Sequence, residues 1–497
     1  MLPTVTLDGH SLSIPDVVAV ARHAARVAIA PKAVEAVQAS RGAVEAALRR
    51  GDTIYGVNTG FGKLAHVRIA PDQLRELQVN LIRSHASGVG EPLPCDAVRA
   101  MMLLRANVLL RGTSGVRPVV PELIVAMLNG GVHPSVPALG SVGASGDLAP
   151  LSHLALAMIG EGEGGDALRA AGLRPVTLEA KEGLAFVNGT QAQTGLAALL
   201  VHDGWIVWRT AHAAAAMSLE AVRGTPDPFD PRIHDARPHA FQQRSAGLLR
   251  RLLEDSEIRE SHRENDPRVQ DAYSLRCTPQ VLGAVGEALA FGERLVAVEL
   301  NAATDNPLVF GAEILSGGNF HGQPIALGLD VLGIALATLT GLAERRLERI
   351  VNPDLSSGLP AFLARNPGLE SGFMTAQITA AALLAECRVL ATPASVQSVP
   401  TEGNQEDVVP MGMTAAWKAE RILAHAARVV AIELLAGAQG LEFLKPLRPG
   451  RGVARTYAAV RRVVPPLDRD RPMSGEIERV ATLVREGRFD PESAHER

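Results

Sequence analysis

Apolar residues recur along most of this chain at the three- and four-residue intervals of amphipathic helices. This pattern predicts helices over roughly 31–50, 96–110 and 148–159. Longer helices of the same kind are predicted over roughly 193–219, 279–302, 323–350, 374–392 and 412–440. We therefore predict a mainly α-helical fold built on a bundle of long helices. Their apolar, small-residue character also favours packing against other subunits.

Strand patterns are rare in this chain. We expect one short strand near 4–9, where it ends in an Asp-Gly turn, and a short hairpin at 308–315. The sequence shows no fixed-period repeat. Two domains are predicted: a helical N-terminal domain at 1–200, which carries the candidate reactive turn, and a long-helix bundle at 201–497.

Irregular loops interrupt the helices at a few places. A Gly-rich loop covers 52–63, a run of small residues covers 140–147, and a polar loop covers 400–410. Loops that a rigid scaffold positions carry a disproportionate share of functional residues. We therefore expect the chemistry of this protein to lie on these loops.

Composition narrows the class of protein. Hydrophobic residues make up 47% of the chain and aromatic residues only 3%, so Ala, Leu and Val must fill the core. The 49 basic and 53 acidic residues are mixed along the chain, which argues against nucleic acid or membrane partners. Three cysteines without metal-ligand spacing predict no metal site and a reducing, cytoplasmic location. The N-terminus lacks the pattern of a signal peptide.

The small-residue run contains a possible self-made electrophile. If the amide nitrogen of Gly146 attacks the carbonyl carbon of Ala144, a five-membered ring closes, and glycine offers little steric hindrance to that attack. Loss of water from Ser145 then leaves an exocyclic methylene. The alternative is an ordinary Gly/Ser turn in which Asp147 caps the helix starting at Leu148. Taken alone, this segment favours the ordinary turn.

Tyr55 lies in the Gly-rich loop and is one of only three tyrosines in the chain. Tyrosine is an unusual general base because its free pKa is near 10, although a positive neighbourhood lowers that pKa. The alternative is a tyrosine whose ring packs against the protein while its hydroxyl is solvated. Tyr55 alone does not distinguish the two.

Other polar side chains beside the helices have ordinary alternatives. Arg276 follows Tyr273 by three residues, so in a helix both share one face, and arginine binds carboxylates through two parallel hydrogen bonds. A surface arginine is the alternative. Asn188 either places its side-chain amide in a functional site or only caps the helix that follows it. Glu406 belongs either to a functional site or to a solvated loop. His85 ends a helix, where histidine is usually a C-terminal cap.

Taken together, these segments resemble the aromatic amino acid ammonia-lyase and aminomutase family. The segments that carry the resemblance occur in the family's order and are Tyr55 to Gly62, Gly143 to Leu151, Asn188 to Gln191, Gln270 to Arg276, Gly317 to Gly322 and Asn404 to Asp407. The presence of all six segments in this order favours membership of this family over the ordinary alternative for each segment.

The resemblance implies a mostly α-helical homotetramer with active sites shared between subunits. It implies that Ala144-Ser145-Gly146 cyclise into 4-methylidene-imidazol-5-one (MIO), so that no external cofactor is needed. The substrate amine would add to the methylidene carbon and become a better leaving group. By this resemblance, Tyr55 would remove the β-proton and Arg276 would bind the substrate carboxylate. Asn188 and Tyr273 would support the ring and the loss of ammonia. The residues implied to line the site are Gln270 and Phe320.

Within the family, the chain most resembles members that act on histidine. Relatives that act on phenylalanine or tyrosine carry Phe-Leu or His-Leu where this chain has Ser84-His85, and commonly Gln at the position of Glu406. His85 and Glu406 can both hydrogen-bond an imidazole. The implied reaction is deamination of L-histidine to trans-urocanate and ammonia. One departure is Val408-Val409-Pro410-Met411, where histidine-acting members usually have His-Val-Ser-Met, and Pro410 removes a backbone donor.

Two other functions remain open from the sequence. One is a tyrosine or phenylalanine ammonia-lyase, or a 2,3-aminomutase, of the same family. The other is a non-catalytic helical oligomer that has kept the scaffold, although packing alone does not require all six segments.

Overall fold

A computed structural model describes residues 3–492 and confirms the mainly α-helical fold. The helices are α1 (Ile14–His23), α2 (Pro31–Arg50), α3 (Leu74–His85), α4 (Cys95–Leu110), α5 (Val119–Gly130), α6 (Leu148–Met158), α7 (Gly162–Ala170), α8 (Glu182–Val187), α9 (Gln191–Ala221), α10 (Pro231–Asp235), α11 (Ala240–Leu252), α12 (Glu257–Glu260), α13 (Tyr273–Arg276), α14 (Thr278–Glu299), α15 (Gln323–Val351), α16 (Met374–Leu390), α17 (Gly412–Glu442), α18 (Arg451–Arg461) and α19 (Ser474–Arg485). The strands are β1 (Val5–Leu7), β2 (Val27–Ile29), β3 (Val89–Pro92), β4 (Pro137–Leu139), β5 (Leu308–Phe310) and β6 (Glu313–Leu315).

The strands form three two-stranded sheets. β1 pairs in parallel with β2, while β3–β4 and β5–β6 are antiparallel. The predicted N-terminal strand and the hairpin at 308–315 are confirmed by β1 and by the β5–β6 pair. All six strands have only three or four residues, which is too few for a two-residue alternation to show. β1 and the β5–β6 pair were predicted from adjoining turn residues, whereas β2, β3 and β4 were not predicted.

Three short helices lie outside the helices predicted from the apolar pattern. Helix α7 begins within a Gly-rich stretch at 160–165, and α8 follows it in the chain. All six residues of α8 are buried, so this helix has no polar face that a periodicity analysis could detect. In the polar loop at 227–237, the Asp230 side chain accepts a hydrogen bond from the Arg232 amide and caps α10.

The chain forms two compact units, each assembled from three segments. The first unit contains the chain up to His202, Gly292–Asp330 and Pro393–Trp417. The second contains Asp203–Phe291, Val331–Thr392 and the chain from Lys418 on. The predicted division of the sequence at residue 200 stays a prediction.

Helix α4 forms the centre of the first unit and packs against α1 and α5. Every residue of α4 from Ala97 to Leu110 is buried, including Arg105. The Arg105 guanidinium donates hydrogen bonds to the carbonyl oxygen of Asn188 (3.1 Å) and to Oε1 of Gln191 (2.6 Å). A buried charge is stable only when it is well hydrogen-bonded. The core of this unit therefore holds the turn between α8 and α9 in place.

In the second unit, a buried ion pair joins α15 to α17. Arg346 and Glu433 are both inaccessible to solvent, and the arginine donates from two nitrogens to the two carboxylate oxygens at 2.5 and 2.9 Å. On α16, by contrast, Ile378 and Val389 are 57% and 74% exposed. Apolar side chains that are exposed on one helix often mark a protein–protein contact.

Helices α15 and α17 are long and apolar enough to cross a membrane by length and composition alone. Their most apolar windows are 67% and 89% buried within the protein. This burial is the ordinary condition of core helices, which satisfy the same criteria of length and composition.

Candidate active site

A cavity of about 470 Å³ in the first unit collects most of the predicted site residues. Those that line it are Tyr55, His85, Ala144, Ser145, Asn188, Phe320 and Glu406. They come from separate stretches of the chain, and most stand at helix ends or on loops. A concave site with a few convergent polar groups is the usual form of a small-molecule site.

The 141–147 turn (Ser141 to Asp147) runs directly against the turn that precedes α9. Gly146 pairs with Gly189, and the Asp147 amide donates to the Gly189 carbonyl at 2.7 Å. Gly146 has φ of +79°, and a Cβ atom added there would collide with the Gly189 backbone. Only glycine satisfies both conditions at position 146. The Asn188 amide group donates to the Ser145 carbonyl at 2.8 Å, which holds the middle of the turn.

Asp147 binds the neighbouring helix rather than its own. Asp147 is the N-cap residue of α6, as the ordinary-turn alternative placed it, but its side chain makes no capping hydrogen bond to that helix. Its carboxylate accepts from the Gln193 backbone amide (2.9 Å), the Gln193 side chain (3.2 Å) and the Ser141 hydroxyl (2.8 Å). Burial raises the pKa of Asp147 to about 6, against the effect of these hydrogen bonds. Asp147 therefore ties the turn to the N-terminus of α9, where the free amides and the helix dipole favour a negative charge.

The Tyr55 loop is ordered by its own polar side chains. Asn58 accepts from the Ile54 amide at 2.8 Å and donates to the Asp52 carbonyl at 2.8 Å, which closes the loop without regular structure. The hydroxyl oxygen of Tyr55 accepts from the Gly62 amide at 3.1 Å.

Tyr55 lies among negative rather than positive groups of its own unit. Burial raises the pKa of the Tyr55 phenol, and the charges of Glu402 and Glu406 raise it further, whereas the Gly62 amide lowers it. Within this unit Tyr55 is therefore held in its neutral form at ordinary pH. The positive neighbourhood that a tyrosine base needs must come from elsewhere.

Glu406 projects from the 401–407 loop (Thr401 to Asp407) into the cavity. Backbone bonds between Thr401 and Glu406 close this loop, and the Thr401 hydroxyl donates to Oε2 of Glu406 at 2.5 Å. Oε1 accepts from the backbone amide of Ser145 at 3.0 Å. The carboxylate thus links the polar loop to the candidate ring-forming residues.

His85 ends α3 and lines the cavity. Its Nδ1 lies 2.9 Å from the Leu81 carbonyl oxygen, which can only accept, so this contact requires a proton on Nδ1. Burial lowers the pKa of His85, although the Leu81 carbonyl and the Glu406 charge act against this effect. In the neutral ring, Nε2 is therefore a hydrogen-bond acceptor.

The comparisons with known proteins agree with this geometry. The sequence model of the aromatic amino acid lyase family matches residues 12–462. A histidine ammonia-lyase from Myxococcus xanthus (strain DK1622) is 52% identical over 497 residues, which cover 98% of this chain and 97% of the relative. The chain belongs to the aromatic amino acid lyase family. The resemblance drawn from the six sequence segments is therefore confirmed, as is the assignment of this chain to the lyases.

Solved structures in this family include enzymes that differ in their named activity. The tyrosine aminomutase from Streptomyces globisporus superposes with a TM-score of 0.94 at 41% identity, covering 98% of each chain. The histidine ammonia-lyase from Trypanosoma cruzi gives a TM-score of 0.91 at 43% identity, covering 98% of this chain and 94% of that one. The fold is thus common to a lyase and an aminomutase, so substrate and outcome depend on side chains in the site.

Gln270, Tyr273 and Arg276 belong to the second unit and do not line this cavity. Tyr273 and Arg276 form the short helix α13, and the arginine lies 4.4 Å from the centre of the tyrosine ring. Tyr273 is 70% exposed, and the Nε of Arg276 is buried without a hydrogen-bond partner in the described chain. These residues present polar groups that nothing in their own unit uses.

Although Pro410 departs from the usual sequence of histidine-acting members, Glu406 still lines the cavity. After Pro410, the Met411 amide donates to the Val142 carbonyl at 2.8 Å, and before it the Val409 amide donates to the Ser398 hydroxyl at 2.9 Å. The donor that proline lacks is thus not needed to hold this segment against the 141–147 turn.

Sequence reasoning missed Glu402, which lines the cavity beside Gly62. Burial raises the pKa of Glu402, and the neighbouring Glu406 raises it further. The sequence did carry a signal, because Glu402 lies in the same polar loop as Glu406. Its distance from Tyr55 could not be read from the sequence, because the two residues come from loops that are hundreds of positions apart.

Proposed function

We propose that this protein deaminates L-histidine to trans-urocanate and ammonia. The observation that carries the substrate is the pair of acceptors in the cavity, Nε2 of His85 and the carboxylate of Glu406. The named activity of the Myxococcus xanthus relative supports the same substrate.

The two acceptors suit an imidazole ring better than a phenol or a phenyl ring. A protonated imidazole has two N–H donors on opposite sides of a rigid ring, so it can satisfy both acceptors. A phenol has one donor, and a phenyl ring has none. A site built to hydrogen-bond its substrate rejects an analogue that leaves its buried polar groups unpaired.

We infer that Ala144-Ser145-Gly146 cyclise into the MIO group. The residues present suit this ring: Gly146 has no Cβ and a positive φ, and the turn is held from both sides by Asn188 and Glu406. When formed, the group supplies an electrophilic carbon that takes up the electron pair of the substrate amine. Asn188, which donates to the Ser145 carbonyl, then lies where negative charge on the ring would be stabilised.

Tyr55 is the proposed base for the β-proton of the substrate. Its hydroxyl lies in the cavity beside Gly62. A positioned base is needed because this proton is only weakly acidic. Phe320 forms an apolar wall of the site.

The active site is completed by other copies of this chain in the same proposal. Gln270, Tyr273 and Arg276 of the partner subunit would supply a carboxylate-binding arginine and the positive charge that lowers the pKa of Tyr55. The exposed Tyr273 and the exposed apolar side chains of α16 support such contacts. The expected assembly is a cytoplasmic homotetramer with shared active sites.

A tyrosine 2,3-aminomutase is the second candidate, because the Streptomyces globisporus enzyme has this fold and His85 alone could accept from a phenol. A phenylalanine lyase is less compatible with the two acceptors.

A substrate panel distinguishes these activities. The purified protein is incubated separately with L-histidine, L-tyrosine and L-phenylalanine, and products are followed by ultraviolet absorbance and chromatography. Urocanate from histidine alone is expected. A cinnamate-type product, or a β-amino acid that precedes it, without urocanate would contradict the histidine proposal. No product from any substrate, in a protein of unaltered mass, would support a non-catalytic oligomer.

A further inference from the structure

Glu406 contacts an atom of the 141–147 turn that must change during ring formation. Its Oε1 accepts from the Ser145 backbone N–H at 3.0 Å. A bond between a side chain and the backbone 261 positions away is not a local turn feature.

This N–H has to be lost when the ring closes. Attack by the Gly146 nitrogen on the Ala144 carbonyl carbon forms one C–N bond and breaks the C=O π bond. The Gly146 N–H proton moves to the carbonyl oxygen, which becomes a hydroxyl group. The hydroxyl then leaves with a proton as water, and a C=N bond forms to the Ser145 nitrogen. That double bond can form only if the Ser145 nitrogen gives up its hydrogen.

We propose that Glu406 is the base that removes the Ser145 N–H proton during ring formation, an inference that rests on the proposed function. The proton passes from the nitrogen to Oε1, the N–H electron pair forms the C=N bond, and the bond from carbon to the hydroxyl oxygen breaks. Glu406 releases the proton to the departing hydroxyl group, directly or through solvent, so that it leaves as water and Glu406 is again a carboxylate. The second water comes from the Ser145 hydroxyl and its Cα proton, so no oxidant or reductant is needed.

The other acidic groups near the turn are less suited to this step. Both oxygens of Asp147 already accept from Gln193 or Ser141. Glu402 has its carboxylate beside Gly62. Asn188 donates to the Ser145 carbonyl and cannot accept a proton from the amide with that group.

The proposal also gives the Glu406 carboxylate two successive roles, first in ring formation and then in substrate binding. While the N–H exists, Oε1 of Glu406 is engaged with the protein's own backbone, and the Thr401 hydroxyl holds Oε2 in place. Once the ring nitrogen has no hydrogen, that bond ends. Oε1 therefore becomes free to bind the substrate only after the ring has formed, when the protein can also react with that substrate.

Cell-free synthesis followed by intact-mass measurement tests this step without using enzyme activity. The full-length parent, Glu406→Gln and Glu402→Gln are sampled at intervals after synthesis, and folding is checked by circular dichroism. Glutamine keeps the size and one acceptor oxygen of glutamate but is not a base. Positioned bases typically accelerate proton transfer by about 10²–10⁴-fold, so we expect Glu406→Gln to lose its first water at least about tenfold more slowly. Glu402→Gln should match the parent.

The outcomes separate this inference from the proposed function. A parent that never becomes lighter by two waters would contradict the electrophile itself. A folded Glu406→Gln that loses water at the parental rate, or a Glu402→Gln that is slowed equally, would overturn only the role of Glu406. If Glu406→Gln does not fold, Glu406→Ala with added formate replaces it. A rate that rises with formate supports the proposal, whereas a rate that formate leaves unchanged overturns it.

Discussion

The 141–147 turn and the 401–407 loop both bring a carboxylate to the same region, but they hold it differently. Asp147 is inaccessible to solvent, and its oxygens accept from Gln193 and Ser141. In the 401–407 loop, Glu402 and Asp407 are exposed, and Glu406 is only half-buried. The turn is therefore part of the core, whereas the loop is part of the surface that borders the cavity.

This difference bears on how freely each region can change. A buried turn with satisfied hydrogen bonds tolerates few changes, because each unpaired group costs free energy. An exposed loop can change residues without unfolding the protein. We infer that the turn tolerates few substitutions and the loop many, with Glu406 as the exception because it contacts the turn.

The largest expected effect comes from Ser145→Ala in the turn. Without the serine hydroxyl, the methylidene group cannot form, so kcat should fall by at least about a thousandfold, as when a covalent catalytic group is removed. Circular dichroism and oligomer size should remain those of the parent. Substantial remaining turnover would show that the turn does not determine the reaction.

Tyr55→Phe tests whether the Tyr55 hydroxyl, whose pKa the charges of Glu402 and Glu406 raise, takes part in the chemistry. Loss of the base should lower kcat by about a hundredfold or more while the mass loss of two waters is kept. Tyr457→Phe is the matched control, because Tyr457 belongs to the second unit, donates to Glu442 there and does not line the cavity. Equal kcat values for the two variants would exclude Tyr55 as the base.

Asp147→Asn and Asp407→Asn compare the stability of the two regions directly. Asparagine at 147 must turn its NH₂ group toward a donor of Gln193 or Ser141, so the free energy of unfolding should fall by about 1–3 kcal/mol. At the exposed position 407, the same change should leave the free energy of unfolding within about 0.5 kcal/mol of the parent's value. Thermal unfolding of both variants measures the difference. Similar losses would mean that the loop is as firmly held as the turn.

The smallest expected effect is a pH shift in Glu402→Gln. The Glu402 charge raises the pKa of Tyr55, so its removal lowers that pKa and increases the phenolate fraction at a given pH. The rising limb of kcat/KM against pH should move to lower pH by less than about one unit, since Glu402 is partly solvated. An unshifted or oppositely shifted limb would mean that the loop does not influence Tyr55 electrostatically.

Much of the fold and the residue types of the site could be predicted before the structure. The long helices were predicted from extended apolar, helix-forming runs, and β1 and the β5–β6 hairpin from the turn residues that bound them. Helix α8 and strands β2 to β4 were missed, because elements of three to six residues leave no distinct pattern. The structure brings Tyr55, Asn188 and Glu406 to one cavity, while the roles of Gln270, Tyr273 and Arg276 stay predictions.

By itself, the sequence determined the helical class and the family, because periodicity and ordered motifs are properties of the linear chain. Only the tertiary structure decided which groups touch. It directed the Asp147 side chain to α9 rather than to α6, placed the charges of Glu402 and Glu406 near Tyr55, and set Glu406 against the Ser145 amide. Each of these contacts joins residues distant in the chain, and its energy depends on burial and on distance, which no local pattern encodes.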